Sequence, residues 1–176
     1  MKKSFQIAAG GITAALSIVL MFLGGVLWIF AYVFPIICSL LMAIIIENID
    51  KKTAWVVYSV VSIISIVFVA DKECASIYVL FFGYYPMVYS KISVIKSSII
   101  KWLIKLLNFN GAMVGVQLIC IYIFGIPFDN ELGKWGIPIF FITANIMFLA
   151  YEKLMQILLI IYRKKFKRKV DKLIKK

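Results

Sequence analysis

Apolar runs close to twenty residues long, broken by short clusters of charged and turn-forming residues, dominate the pattern of the chain. A hydrocarbon core about 30 Å thick takes roughly twenty apolar residues of α-helix to cross. The first such run, Phe5 to Leu23, holds no charge and meets Gly24-Gly25; the second, Val26 to Ile46, is also uncharged, with Pro35 near its start or at a kink. Glu47-Asn48-Ile49-Asp50-Lys51-Lys52 follows as a loop, and Thr53 is placed to cap a third run that reaches Ala70 and stops at Asp71-Lys72-Glu73. A fourth expected span covers 74–90, where Gly83 and Pro86 loosen the helix. The fifth covers 107–125, Gly125 to Glu131 form a turn-rich loop, and the sixth covers 137–162.

Residues 91–106 follow a different pattern. Projected at 100° per residue, Lys91, Ser97, Ser98, Lys101 and Lys105 share one arc, while Ile92, Ile95, Ile99, Trp102, Leu103 and Leu106 fill the opposite side; Lys96 and Val94 break the pattern. This predicts an amphipathic helix lying in the membrane interface, or one leading into the fifth span. The expected fold is an all-α integral membrane protein, a bundle of six transmembrane helices over 1–162 with a basic cytoplasmic tail over 163–176. No internal repeat is evident.

Composition agrees with this pattern. The 176 residues are 64% hydrophobic and only 16% charged, with a mean hydropathy of +1.01. A soluble fold of this size cannot hide so much apolar surface. The N-terminal Met1-Lys2-Lys3 before an apolar run resembles a signal peptide, but no A-x-A-like site follows it. It is expected to be a retained first span.

Charge then sets an orientation. With both termini in the cytoplasm, the inner segments (Lys2–Lys3, Lys51–Lys52, the four lysines from Lys91 to Lys105, and the tail) hold seventeen basic residues. The outer loops hold only Lys72 and Lys134. Cytoplasmic loops of membrane proteins are enriched in this way. The net charge of +12 therefore does not indicate nucleic acid, since the basic residues lie between apolar runs and in the tail rather than interleaved with aromatics. The tail is expected to adhere to anionic lipid.

Candidate chemistry is sparse. There is no His, and Cys38, Cys74 and Cys120 are far apart with no CxxC pair, so neither a metal site nor a redox motif is expected. No cofactor is expected. GxxxxGK[ST], HExxH and GxSxG are all absent, so any uphill transport would draw its energy from another subunit. Asn145, Glu152 and Gln156 form a polar stripe on the sixth span that Pro138 and Phe141 continue outward. An intramembrane carboxylate is a functional-site candidate, yet a structural hydrogen-bonding stripe fits equally well, with Lys153 beside it able to snorkel. Asp71, Lys72 and Glu73 are either a solvated turn or the mouth of an outward pocket. Trp28, Tyr32, Tyr78 and Trp135, on the same side, either line that pocket or form an aromatic belt. In the first span, Gly10/Ala14 and Gly11/Ala15 are small-xxx-small pairs, which serve either packing within the bundle or docking of a second membrane subunit.

The stretch Ala8-Ala9-Gly10-Gly11-Ile12-Thr13-Ala14-Ala15-Leu16-Ser17, with the length and the expected topology, resembles the substrate-binding S component of energy-coupling factor (ECF) transporters. The resemblance implies that Gly10, Gly11, Ala14 and Ala15 face a coupling transmembrane subunit and that two cytoplasmic ATPases drive the cycle. It further implies that the outer halves of the later helices and the first outer loop enclose a vitamin-like small molecule. On that basis the candidate binding residues are Trp28, Tyr32, Asp71, Glu73, Tyr78, Trp135, Phe141 and Asn145. The competing expectation is a non-transport accessory or scaffold protein without a pocket. An intramembrane enzyme would rest only on Glu152 and the Asp71/Glu73 pair, and an enzyme is not expected.

Overall fold

The computed structural model describes residues 3–27, 30, 32–126 and 135–166. Trp28 and the tail from 167 onward lie outside the described residues. The described chain is helical throughout: α1 (Lys3–Val26), α2 (Val33–Asn48), α3 (Lys51–Phe68), α4 (Lys72–Ile77), α5 (Tyr85–Ile92), α6 (Ser98–Tyr122) and α7 (Gly136–Ile161). Two π-helical turns, Tyr78–Phe82 and Tyr162–Phe166, extend α4 and α7.

Four helices (α1, α3, α6, and α7 with its extension) are long and apolar enough to cross a bilayer, and α2 is a shorter apolar helix of 16 residues. The distribution of side chains is that of a protein dissolved in lipid. Ile7, Ile12, Val56, Ile63, Ile99, Leu103, Ile142 and Ile146 are exposed, whereas Ser17, Ser39, Ser65, Lys105 and Glu152 are buried. In water such an apolar exterior would drive aggregation; in hydrocarbon it costs nothing, and polar contacts and close packing hold the helices together instead. The protein is a helical, membrane-embedded one.

Several helix boundaries differ from the sequence expectation. α1 continues through Gly24 and Gly25 because its end lies against the α3–α4 connection, where a Cβ on Gly25 would sit 3.2 Å from the Ala70 nitrogen. α3 begins at Lys51 rather than Thr53. Its cap is Asp50, whose carboxylate accepts from the Thr53 N–H at 2.7 Å, and this bond holds the Asp50 carboxyl below its ordinary pKa. Nothing interrupts the backbone ladder between Ser98 and Tyr122, so most of the amphipathic stretch and the fifth apolar run form a single helix of 25 residues. Ser97 starts it by accepting from the Ile100 N–H.

Long-range contacts define two ends of the bundle. At one end Tyr32 bonds Glu73 and Gly25 meets residues 69–71. At the other, Gly10 meets Thr53, Lys51 bonds Ser90, and Asn48 accepts from the Tyr162 hydroxyl at 2.7 Å. Arg163 grips the Glu47 carboxylate with two nitrogens at this same end. At the Tyr32 end, Asp71 caps α4 by accepting from the Glu73 and Cys74 N–H groups at 2.9 and 3.1 Å. Lys72 turns its ammonium onto the Ile66 and Val69 carbonyls, each at 2.9 Å, which satisfies acceptors that the end of α3 leaves open.

Between these ends the centre is aromatic. The π turn closes through the Gly83 N–H to the Tyr78 carbonyl at 2.7 Å, and Pro86 then starts α5 in its first turn. The turn presents Phe81 to Tyr85, Phe109 and Phe148 at centroid distances of 4.7, 5.0 and 5.7 Å. Phe109 stacks on Phe148 at 4.6 Å with an interplanar angle of 14°. Gly83 lets the Tyr58 ring lie on this turn: a Cβ there would be 2.6 Å from Tyr58 Cδ2, and the Tyr58 hydroxyl donates to the Val79 carbonyl at 2.9 Å.

Gly83→Ala is therefore expected to lower stability by about 1–3 kcal/mol, measured by denaturant unfolding in detergent. Adding Tyr58→Ala removes the clash, so the double variant should lose less than the two single losses combined. Strict additivity would show that the two residues do not press on each other.

Candidate functional site

Two features at different levels of the bundle contain the residues with chemical potential. The first is a cavity of about 150 Å³ near the Tyr32 end, lined by Tyr32, Ile36, Ile77, Phe82, Phe109, Met113, Phe140, Thr143, Ala144, Met147 and Phe148. It lies among α2, the α4 π turn, α6 and α7. Apart from the Tyr32 and Thr143 hydroxyls, its lining side chains are apolar. The Tyr32 hydroxyl donates to Glu73 Oε1 at 2.7 Å, which places a carboxylate one hydrogen bond behind the lining. A largely apolar hollow with a few convergent polar groups is the usual form of a small-molecule site.

The second feature is a buried polar cluster between the first third of α6 and α7. Lys105 and Glu152 are 3% and 0% exposed and form an ion pair. The Tyr85 hydroxyl donates to Glu152 Oε2 at 2.7 Å, and Gln156 Nε2 reaches Oε1 at 3.3 Å. The Lys105 ammonium also lies over the Tyr89 and Trp102 rings, 4.7 and 5.5 Å from their centroids. Both carboxylate oxygens thus have partners, as a charge removed from water requires. About one and a half to two turns nearer the Tyr32 end, Asn110 and Asn145 exchange reciprocal amide hydrogen bonds at 3.0 and 2.9 Å. The stripe Asn145, Glu152 and Gln156 faces the bundle interior, and its partners come from α6.

The residues singled out from the sequence are dispersed rather than gathered into one site. Tyr32 lines the cavity and Glu73 adjoins it through that tyrosine. Asp71 is engaged as the cap of α4. Tyr78 is fully buried beside Tyr58, and its hydroxyl has no partner among the described residues. Trp135 is exposed at the start of α7. Phe141 packs edge-on against Phe140, and Asn145 is occupied by Asn110. Lys105, counted among the water-facing lysines, is buried. The cavity residues that sequence reasoning missed, Phe82, Phe109, Phe140, Thr143 and Phe148, carry no distinguishing signal in a chain with 14 phenylalanines. Lys105 could have been found as a basic residue about as deep in its helix as Glu152 is in the next.

The small residues of α1 divide between two directions. Gly10 is buried against α3, where a Cβ would meet Thr53 Cγ2 at 3.2 Å. Gly11 has open space over its Cα, and Ala15 is exposed. Gly10 at its floor, with Gly11 and Ala14, lines an open groove of about 550 Å³ on the outside of α1 and α3, together with Ile7, Val56 and Val60, and Lys3 and Lys52 stand at its end.

Compared with known proteins, the chain matches no family model, no curated protein and no solved structure.

The ion pair yields a clear expectation. Lys105→Met strands Glu152 in the interior and should cost about 3–5 kcal/mol, whereas the double variant Lys105→Met/Glu152→Leu should recover most of that loss. Unfolding of the three proteins in detergent measures this. A double variant no more stable than the single one would mean that the pair is not the principal partner of either residue.

Proposed function

We propose that this protein is a six-span membrane protein of the cell membrane, with both termini in the cytoplasm, that captures a small molecule from the outer side. In this reading it serves as the substrate-binding subunit of an ECF-type importer, with a coupling transmembrane subunit and cytoplasmic ATPases as partners. The observation that carries the proposal is the aromatic cavity at the Tyr32 end. It lies at the end of the bundle that faces outward when the basic residues face inward. A scaffold protein has no need of such a hollow, and an unfilled one sacrifices packing.

Two further features support the reading. Lys3, Lys51, Lys52, Lys91 and Arg163–Lys165 belong to helix ends remote from Tyr32, which agrees with the positive-inside expectation even with Lys105 removed from the count. The outward-facing pair Gly11 and Ala15 gives a second helix a smooth surface to approach in lipid, while Gly10 is already engaged by α3. With no GxxxxGK[ST] loop in the sequence, this reading has the partners supply the energy and this chain supply recognition.

Filling the cavity tests the capture role. Ala144→Leu, at a lining position, is expected to abolish ligand-induced thermal stabilisation while leaving the unliganded melting temperature within a few degrees. Unchanged ligand response would remove the cavity from consideration. Docking is tested separately: Gly11→Leu should prevent co-purification with a coupling subunit from the native membrane without unfolding the bundle, and retained assembly would count against that partner.

A further inference from the structure

We infer that the cavity selects a small organic cation, a quaternary or protonated amine, over neutral molecules of the same shape. This rests on the reading of the cavity as a capture site and adds its chemistry. Five of the lining side chains, Tyr32, Phe82, Phe109, Phe140 and Phe148, are aromatic. Aromatic rings carry negative π faces, and aromatic cages bind quaternary ammonium groups by cation–π attraction; Phe109 and Phe148 each keep one face for the other. That attraction grows when the cation is desolvated, as it would be here.

The surrounding charges have the matching sign. Glu73 accepts the Tyr32 hydroxyl proton in a hydrogen bond at 2.7 Å, which enriches the Tyr32 ring and sets a carboxylate just behind the lining. Asp71 lies two residues away. Among the described residues, no lysine or arginine lines the hollow. The neighbouring base, Lys72, is directed away onto the carbonyls of α3. Among the described lining residues, an anionic ligand would meet rings and a nearby acid with no compensating cation. The bundle already holds one cation by this chemistry, since the Lys105 ammonium rests on the Tyr89 and Trp102 faces beside Glu152.

Size narrows the class further. The hollow measures about 150 Å³, the volume of a cavity that holds one benzene, so the fitting group is of the order of a trimethylammonium or a small protonated amine. A larger ligand would place its cationic head in the cavity and leave the remainder toward Thr143 and Met147, the exposed part of the lining.

The test uses the full-length protein purified in detergent, with choline, its neutral isostere 3,3-dimethylbutan-1-ol, and toluene as probes. Saturable thermal stabilisation by choline is expected, with the neutral isostere at least about tenfold weaker. Glu73→Gln should weaken choline by about tenfold while leaving toluene unchanged, and Ala144→Leu should abolish every response. Equal or tighter binding of the isostere would overturn the cation inference and leave the capture reading standing. If none of the three probes raises the melting temperature at tens of millimolar, the inference falls, and the cavity loses its standing as a capture site with it.

Discussion

A charged side chain held within hydrocarbon must find its partner inside the protein, and the pairing of Lys105 with Glu152 meets that demand here. It has consequences beyond the two residues. The pair sets the depth of α6 against α7, and Tyr85 and Gln156 complete the carboxylate's partners from the α5 side and from one turn along α7. Rotation or sliding of any of these helices would strand a charge, at a cost of several kcal/mol. Leucine and isoleucine could not impose that register in lipid, because apolar contacts there are worth nearly the same with a neighbouring helix as with an acyl chain.

With that register fixed, the aromatic centre follows. Phe148 lies four residues before Glu152 on α7, and Phe109 lies four after Lys105 on α6, so one helical turn separates each ion from its ring. The stacked pair of rings is thus placed one layer toward the Tyr32 end from the ion pair. Phe81 and Phe82 arrive from the π turn to meet them. The cavity is the space left where Ala144 and Thr143 are too small to complete that layer. Charge pairing, ring stacking and the hollow are successive levels of one arrangement.

The membrane character of the chain was legible because it depends on run length and charge spacing, which are local properties. The inward polar stripe on α7 was legible for the same reason, since helical periodicity aligns Asn145, Glu152 and Gln156. What eluded the sequence were relations between helices. Lys105 shares an arc with Lys91 and Lys101, and on a helical wheel nothing separates a lysine bound for water from one bound for a carboxylate 47 residues away. Of the two expectations for 91–106, an interfacial helix or one leading into the fifth span, α6 follows the second from Ser98 onward, and it takes in Lys105 without a break because that head is neutralised inside. The site aromatics Tyr78 and Trp135 were chosen by their place in the chain, but the cavity recruits rings by interhelical geometry. The Tyr32–Glu73 bond spans 41 residues and joins two candidates whose relation no spacing rule could express.

The wide turn at Tyr78–Phe82 has a further effect on the chain that follows it. A π turn accommodates one residue more than an α-helical turn would, so every later side chain on that pass is set back by about 100°. Tyr85 owes its direction toward Glu152 to this offset. Shortening the turn by a single residue would swing the whole of α5 by that angle and carry the tyrosine off the carboxylate. The two halves of this broken helix are thus geared to each other, and an indel of one residue, harmless in a surface loop, here would change which faces of the protein meet.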